Sequence, residues 1–349
     1  MLRHVLGTML ACSVGLAPLH ALARPALLVD AQSSRIYYAE DIDHRWHPAS
    51  LTKIMTAYVA FEAIKSGQVT LETKLIATER STLQDPSKIG LPIGGQISMD
   101  LALKALIVKS ANDVAMMIAE GVGGTEAGFI ERMNATAKRL GMTRTNFVNP
   151  NGLPAAEQVT TARDLATLSL AAIKDFPEYA SYWSMPDMRI GRRRLGTHNS
   201  LLKTYEGADG MKTGFICDSG YNVVASATRD GRRLVAVVLG ESNSRDRAVR
   251  ASSLLEHGFQ TSAWKAMFNT NTLADTPMAA DASEVVSIRD TVTARACGGR
   301  ASTRVAKARV EARKKRIKQA KAGQPATGDA AASPATTGST TAAAAQKPL

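Results

Sequence analysis

The chain has 349 residues, 45% of them hydrophobic, and a formal net charge of +12. Because a chain of this length and apolar content can bury a sizeable core, a wholly disordered protein is excluded. The charge is concentrated in residues 289–321, where twelve Lys and Arg face two acidic residues, so the rest of the chain is close to neutral. The high isoelectric point is therefore no guide to the function of the body of the protein.

Residues 1–23 have the organisation of an export signal. A short positive start is followed by an apolar run over residues 5–19, and a small-residue cleavage site ends at Ala23. The apolar run is shorter than the roughly 20 residues of a membrane-spanning helix, which disfavours the alternative of an uncleaved anchor. We predict cleavage before Arg24 and an exported protein of the periplasm or cell envelope, soluble or peripheral at the membrane, with no nucleic-acid partner.

The elements that follow alternate in type along the chain. Two strand-like runs form a predicted hairpin at residues 26–30 and 35–39. Apolar periodicity and helix-end signals predict five helices, at residues 50–64, 98–108, 114–120, 126–140 and 161–172. Three short strands, with an Asp-Gly turn between the last two, and a closing helix are predicted at residues 209–216, 221–227, 233–239 and 249–257. We expect an α+β fold in which the first hairpin and the last three strands form one antiparallel sheet of about five strands, flanked by helices.

The predicted domain organisation has three parts. Residues 1–23 are the signal peptide, residues 24–268 the catalytic domain, and residues 269–349 a basic tail that ends in Ala, Thr and Pro and is expected to be largely disordered. The tail is either a solvated extension or an adhesive segment for anionic lipid head groups or envelope polymers. The sequence leaves both open.

Cysteine and histidine usage bears on the compartment and on metals. Outside the signal peptide only Cys217 and Cys297 remain, and they either pair in an oxidising compartment or stay free thiols. Free thiols are at least as well supported, because Cys297 lies in the predicted tail. No Cys or His cluster has the spacing of a zinc site, so we expect neither a metal nor another cofactor.

A Ser-x-x-Lys pattern opens the first predicted helix at Ser50 and Lys53. A serine at a helix start has an unpaired backbone N–H that can act as an oxyanion donor. Lys53 falls on the same helix face, and burial beside Ser50 would favour its neutral form, which can serve as a base. The same pattern recurs at Ser200 and Ser262, and a serine at a helix start is usually only an N-cap, so the pattern alone does not identify a nucleophile.

Two further motifs distinguish Ser50 from the other matches. Ser110 and Asn112 lie in a helix–helix junction, where a hydroxyl and an amide can project into a cleft. Lys212 and Gly214 lie in a predicted strand, and Gly214 leaves room for a substrate backbone to run alongside it. Asn112 alone could be a turn former and Lys212 a strand-edge lysine. Only Ser50 precedes both motifs, so the ordered set predicts a serine nucleophile.

With these three motifs the chain resembles the penicillin-recognising serine enzymes, and among them the low-molecular-mass D-alanyl-D-alanine carboxypeptidases. The resemblance covers roughly residues 24–268. The matching segments are PASLTK (48–53), SAND (110–113), TARDLA (161–166), DGMKTGF (209–215) and YNVVASA (221–227).

The resemblance implies a catalytic group of four residues. Ser50 would attack the carbonyl between two D-alanines of a peptidoglycan stem peptide, and Lys53 would take its proton. Ser110, assisted by Lys212, would relay a proton to the leaving amine. Water would resolve the acyl-enzyme, and β-lactams would acylate Ser50 as stalled substrates.

The resemblance also implies a substrate-binding group. Asn112 would hydrogen-bond the substrate amide, and Thr213 with Arg247 would hold the terminal carboxylate. The backbone N–H groups of Ser50 and Phe215 would form the oxyanion hole.

Two segments depart from the pattern of the family, and both can retune substrate preference. Residues 215–220 read Phe-Ile-Cys-Asp-Ser-Gly, and residues 151–154 read Asn-Gly-Leu-Pro. The alternatives to a carboxypeptidase are a D,D-endopeptidase that cuts cross-links and a peptidoglycan-binding envelope protein without activity. A β-lactamase is less well supported, because no glutamate base for fast deacylation is identifiable.

Overall fold

The computed structural model describes residues 24–261, 271–280, 284–285, 287–292 and 294–297. The predicted signal peptide and the residues after Cys297 lie outside this part of the chain. None of the helices within it combines the length and apolar character that a membrane crossing requires.

Strands and helices alternate as the sequence predicts, with additional short elements. The strands are β1 (Ala26–Asp30), β2 (Ile36–Glu40), β3 (Lys74–Ile76), β4 (Gln96–Ser98), β5 (Asp187–Ile190), β6 (Arg193–Gly196), β7 (Ala208–Ile216), β8 (Gly220–Arg229) and β9 (Arg232–Glu241). The helices are α1 (Thr52–Lys65), α2 (Glu79–Thr82), α3 (Met99–Lys104), α4 (Asn112–Gly123), α5 (Glu126–Arg139), α6 (Ala162–Asp175), α7 (Ala180–Trp183), α8 (Leu201–Thr204) and α9 (Ser244–Gln260). A 3-10 turn (Ala49–Leu51) precedes α1, and a π-helical turn (Ala105–Lys109) follows α3.

The main sheet has five antiparallel strands in the order β2-β1-β9-β8-β7. The N-terminal hairpin therefore joins the C-terminal strands, as predicted, with Ala26 opposite Val238. The predicted Asp-Gly turn connects β8 and β9, and both Asp230 and Gly231 have positive φ, as a tight two-residue hairpin requires. Strand β7, which carries Lys212, is one of the two edge strands of this sheet, and β2 is the other.

Each strand of the sheet faces two different layers, because successive side chains point to opposite faces. On β1, Leu27 and Val29 pack into the larger core under the helical layer, whereas Ala26 and Leu28 pack in the smaller core that α9 covers. Helix α1 belongs to the larger core and is buried on all sides through residues 51–61, as expected of a helix that is apolar all round. Its first turn, with Ser50 just before it, is thereby held in place.

The predicted helix at residues 98–108 is divided. Ser98 caps α3 by accepting a hydrogen bond from Leu101 N–H, and after Lys104 the chain continues as the π-helical turn. Ser110 then takes a left-handed conformation, with φ of +57°, and α4 starts at Asn112. The predicted interruption between two helices is confirmed.

Two hairpins were not predicted from the sequence. The β3–β4 and β5–β6 pairs consist of strands of three or four residues. Such short strands show too few alternations to indicate a period, and residues 189–194 are mostly arginine.

The compact unit that contains the sheet extends to Cys297, past the predicted boundary near Phe268. Leu273, Ile288 and Val292 are buried in the larger core. Arg163, itself paired with Asp43, donates to the Leu273 carbonyl across 2.7 Å. Isolated apolar residues and backbone carbonyls hold this segment, and neither leaves a periodic pattern in the sequence.

The two cysteines form a disulfide, with their Cα atoms 5.5 Å apart. It joins Cys217, in the β7–β8 turn, to Cys297 at the end of the segment just described. The same turn is held by an ion pair between Asp218 and Arg289, 2.9 Å long, and by a hydrogen bond from Ile288 N–H to the Asp218 carbonyl. The structure thus selects the disulfide over the free thiols.

Candidate active site

The three predicted motifs meet in one cleft of about 470 Å³. Seven of the nine predicted site residues line it, namely Ser50, Ser110, Asn112, Thr213, Gly214, Phe215 and Arg247. The other two, Lys53 and Lys212, are buried and form hydrogen bonds to lining residues. A larger groove of about 780 Å³ beside α1 and α5 contains none of the motif residues, so cavity size does not identify this site.

Ser50 is positioned by a constrained turn. Ala49, directly before it, has φ of +49°, which is unusual for a residue with a Cβ atom. The turn is closed by a hydrogen bond from Leu51 N–H to the Pro48 carbonyl, 3.1 Å long. Such backbone conformations persist only where the surroundings hold them, and they concentrate at functional sites.

Lys53 is completely buried and lies directly below Ser50. Its Nζ atom is 3.1 Å from Ser50 Oγ, 2.7 Å from Asn112 Oδ1 and 2.5 Å from the Asn151 carbonyl. Desolvation and the charge of Lys212 lower the pKa of Lys53 well below its ordinary value. A neutral amine donates two hydrogen bonds, and two of the three neighbours are pure acceptors. The lone pair of Nζ is therefore left for the Ser50 hydroxyl, which is the arrangement of a general base.

Lys212 binds Ser110, the serine of the second motif. Its Nζ donates to Ser110 Oγ across 2.8 Å and to the Thr213 carbonyl across 3.0 Å. Lys212 is buried, and desolvation with the charge of Arg247 lowers its pKa to about 7. A proton on this amine is therefore exchangeable near neutral pH, and Ser110 is placed to pass it on.

Both ends of the Asn112 amide are bound within the protein. Oδ1 accepts from Lys53, and Nδ2 donates to the Asp85 carbonyl across 2.8 Å. A substrate amide would therefore compete with this carbonyl. The neighbouring Asp113 carboxylate fixes the same loop by accepting from the N–H groups of Ile89 and Gly90.

The close packing of the Ser50 turn explains why residue 214 has no side chain. A Cβ atom there would lie 2.8 Å from the Pro48 carbonyl oxygen and 3.1 Å from Ser50 N. The missing side chain therefore lets the Ser50 turn pack against β7, while Gly214 still lines the cleft. Phe215, the next residue, packs against the Tyr221 ring with centroids 4.2 Å apart.

Arg247 contributes a positive charge to the lining of the cleft. It lies in the first turn of α9, is 6% exposed, and forms no ion pair with any carboxylate in the described part of the chain. Desolvation lowers its pKa to about 10, which still leaves it charged at neutral pH. Its Nη2 donates to the His198 carbonyl across 3.3 Å. A buried guanidinium that lacks an anionic partner in the described part of the chain, in the same cleft as Thr213, can bind a carboxylate.

The loop at residues 149–154 supports the nucleophile, and sequence reasoning assigned it no such role. The Asn151 carbonyl accepts from Lys53, and the Asn151 side chain donates to Gln84 Oε1. Gly152 has φ of +79°, and a Cβ atom there would lie 1.8 Å from the Ala49 carbonyl oxygen. The Asn-Gly pair indicated a turn, but no sequence signal identifies a backbone carbonyl as the partner of a lysine.

His198 is a further cleft residue that the sequence did not indicate. Local desolvation and the positive charges of Lys212, Lys109 and Arg247 lower its pKa. Among the described residues, no group of three or more His, Cys, Asp or Glu side chains is arranged to hold a metal ion.

Comparison with known proteins gives the family of the chain. The D-alanyl-D-alanine carboxypeptidase family matches residues 14–243. D-alanyl-D-alanine carboxypeptidase DacC of Escherichia coli (strain K12) is 38% identical over 245 residues, which are 68% of this chain and 61% of that protein. DacA of Haemophilus influenzae is 36% identical over 252 residues, 70% of this chain and 64% of that protein. The chain thus spans less than two thirds of the length of these relatives.

Solved structures of similar proteins share the fold. Penicillin-binding protein 5 from Haemophilus influenzae is 35% identical, with a TM-score of 0.66, over 70% of this chain and 73% of that one. Penicillin-binding protein D2 from Listeria monocytogenes, in the cefotaxime-bound form, is 31% identical, with a TM-score of 0.63, over 68% of this chain and 97% of that one. The predicted fold and resemblance are therefore confirmed, and the chain belongs to the D-alanyl-D-alanine carboxypeptidase family.

Proposed function

We propose that the protein is a serine D-alanyl-D-alanine carboxypeptidase that removes the terminal D-alanine from peptidoglycan stem peptides. The observation that carries the proposal is the position of Lys53 Nζ, 3.1 Å from Ser50 Oγ, with its other two neighbours both acceptors. This arrangement supports Ser50 as a nucleophile rather than as a helix cap.

Acylation would proceed in two steps, addition of Ser50 to the carbonyl and then loss of the amine. Ser50 Oγ bonds to the carbonyl carbon between the two D-alanines, while its proton passes to Lys53. The oxyanion accepts hydrogen bonds from the backbone N–H groups of Ser50 and Phe215. The C–N bond then breaks, and the leaving amine takes a proton from Ser110, which is replenished from Lys212 across the 2.8 Å hydrogen bond.

The substrate would be fixed at both sides of the reacting bond. Thr213 and Arg247 bind the terminal carboxylate, whose charge gives the buried guanidinium the partner that it lacks. Asn112 binds the amide of the acyl part. Water then attacks the ester at Ser50 and releases the shortened peptide.

β-Lactams would acylate Ser50 in the same way and leave slowly. Support comes from the cefotaxime- and ampicillin-bound structures of penicillin-binding protein D2 from Listeria monocytogenes. Labelling with a fluorescent penicillin tests the nucleophile, with Ser200→Ala as the matched control from the second Ser-x-x-Lys pattern. Parent and Ser200→Ala should be labelled and Ser50→Ala should not, whereas labelling of Ser50→Ala at the parent's rate would refute the assignment.

Release of free D-alanine from a pentapeptide tests the reaction itself. A parent protein that releases D-alanine is a carboxypeptidase, and one that binds peptide without releasing it is the inert envelope protein. Cleavage of a cross-linked dimer in preference to the pentapeptide would instead make the protein an endopeptidase.

For the ends of the chain we propose an export signal and an adhesive basic tail. N-terminal sequencing of the exported protein should begin at Arg24. A chain that ends after Cys297 keeps the disulfide, so it should release D-alanine at the parent's rate but sediment less with anionic phospholipid vesicles at low salt. Unchanged sedimentation would contradict adhesion by the tail.

A further inference from the structure

The β5–β6 hairpin carries a strong local positive charge. Residues 187–196, which we call the arginine hairpin, contain four arginines and one aspartate, for a net charge of +3. The arginine side chains are all exposed, and they are Arg189, Arg192, Arg193 and Arg194. Its apolar side chains Met188, Ile190 and Leu195 pack against the larger core, so the hairpin is anchored to the body of the protein.

The arginine hairpin continues the wall of the active-site cleft. After β6 the chain passes through Thr197 to His198, which lines the cleft. Arg193 Nη1 donates to the Ile89 carbonyl across 3.4 Å, in the loop whose residue Ser87 also lines the cleft. Both strands of the hairpin pack against the π-helical turn that leads into Ser110.

The charges on this hairpin are only partly compensated. The register places Arg189 directly opposite Arg194, and like charges in that position repel. Asp187 pairs with Arg194 across 2.5 Å. Within the described residues, Arg189 and Arg192 form no ion pair. An arrangement that opposes local stability is expected where an external partner relieves it.

Positive charge also extends from the hairpin into the cleft. His198 is the residue at which the hairpin meets the cleft. Desolvation lowers its pKa, and so do the positive charges of Lys212, Lys109 and Arg247. Positive charge is thus present both on the hairpin and around the cleft that contains the proposed carboxylate site. Guanidinium groups bind carboxylates through two parallel hydrogen bonds, which makes an acidic peptide a better fit than a neutral one.

We propose that the arginine hairpin binds carboxylates that an acidic peptide substrate carries in addition to its terminal carboxylate. The proposal rests on the proposed function, because it places the substrate in the Ser50 cleft. The surface is an extension of that cleft, and this continuity favours a peptide over an anionic lipid surface as its partner.

Binding, rather than turnover, tests the proposal. The probes are two labelled pentapeptides that both end in D-Ala-D-Ala, one with free carboxylates on its upstream residues and one with those carboxylates amidated. Arg189→Gln with Arg192→Gln removes two charges that have no ion-pair partner. Lys74→Gln with Lys138→Gln is the matched control, because both lysines are exposed and neither lines the cleft. Fluorescence anisotropy at low and high salt gives the Kd of each protein for each peptide, and circular dichroism checks that each variant is folded.

The parent and the lysine variant should bind the acidic peptide about three- to tenfold more tightly than the amidated one at low salt, with the ratio falling as salt rises. The arginine variant should show a ratio near one. If the arginine variant keeps the parent's ratio of the two affinities, the proposal is overturned. The proposal is also overturned if the arginine variant loses binding only to anionic phospholipid vesicles. If the parent prefers the acidic peptide but releases no D-alanine, the proposed function fails while the hairpin keeps its role.

Discussion

Arg247 lowers the pKa of Lys212 although the two residues lie on different elements, α9 and β7. Desolvation of the buried Lys212 is the larger cause, and the poorly screened charge of the neighbouring guanidinium adds to it, which brings the pKa of this lysine to about 7. The group proposed to bind the substrate carboxylate therefore also sets the protonation of the group that serves Ser110. When a carboxylate binds to Arg247, it offsets this charge and favours the protonated form of Lys212.

Arg247→Gln should shift the pH dependence of the reaction. Removing the guanidinium charge raises the pKa of Lys212, so the limb of the kcat/KM profile with a midpoint near pH 7 should move to higher pH. Arg245→Gln, in the same turn but exposed, is the control and should leave the limb in place. A limb that stays at the same pH in both variants would contradict the coupling.

Lys212→Met should stabilise the fold at neutral pH. The folded-state pKa of about 7 lies below the ordinary 10.5, so the unfolded chain binds more protons between these values and stability rises with pH across this window. The free-energy cost of burying Lys212 is largest at or below pH 7 and disappears above pH 10.5. The variant should therefore exceed the parent by on the order of 2–4 kcal/mol near pH 7, with a smaller difference at pH 10. Thermal unfolding at both pH values measures it, and a difference that grows with pH would be contrary to the account.

Gly152→Ala should disable the Ser50 turn. The added Cβ would overlap the Ala49 carbonyl oxygen, which must then move together with Ser50. Gly67→Ala is a matched control, since its φ of +76° imposes similar strain, while nothing lies within 4 Å of its Cβ. Both variants should lose about 1 kcal/mol of stability from the backbone conformation. Only Gly152→Ala should also lose penicillin acylation, and equal acylation in the two would argue against the turn as the sensitive element.

Reduction of the disulfide should loosen the segment that covers the β7–β8 turn. Loss of a native disulfide typically lowers stability by about 2–5 kcal/mol. The melting temperature of the parent should fall in a dithiol reductant, whereas Cys217→Ser with Cys297→Ser should melt at a lower temperature that the reductant does not change. If complete reduction leaves the melting temperature of the parent unchanged, the prediction is wrong. The remaining contacts of Ile288 and Arg289 then suffice to hold the segment.

The sequence predicts the parts of this protein in which side-chain identity determines the structure. The short apolar runs of β1 and β9 predict strands, and their places before and after the helices predict one sheet. The order of Ser50, Ser110 and Lys212 predicts the cleft, because each chemistry requires a particular side chain. These predictions depend on side chains that can be read directly from the sequence, either as a run or by their order along the chain.

The contacts that the sequence did not predict are of two kinds. Some use a backbone carbonyl as the acceptor, and others join residues that are far apart along the chain. The Asn151 carbonyl accepts from Lys53, and the Leu273 carbonyl accepts from Arg163, yet every residue has a carbonyl. Cys217 and Cys297 are separated by 80 residues, and their pairing requires a segment whose few apolar residues follow no period. Such contacts appear only when the fold brings the partners together.

The most direct test of the account concerns Lys53 as the base for Ser50. Arginine keeps its proton at all accessible pH values, so the side chain in Lys53→Arg has no free lone pair and cannot act as the base. The rate of acylation by penicillin, followed by the mass of the intact protein, should fall by about 10²- to 10⁴-fold in Lys53→Arg. Lys203→Arg, from the second Ser-x-x-Lys pattern, should acylate at the parent's rate. Acylation of a folded Lys53→Arg at the rate of the parent would contradict the central claim.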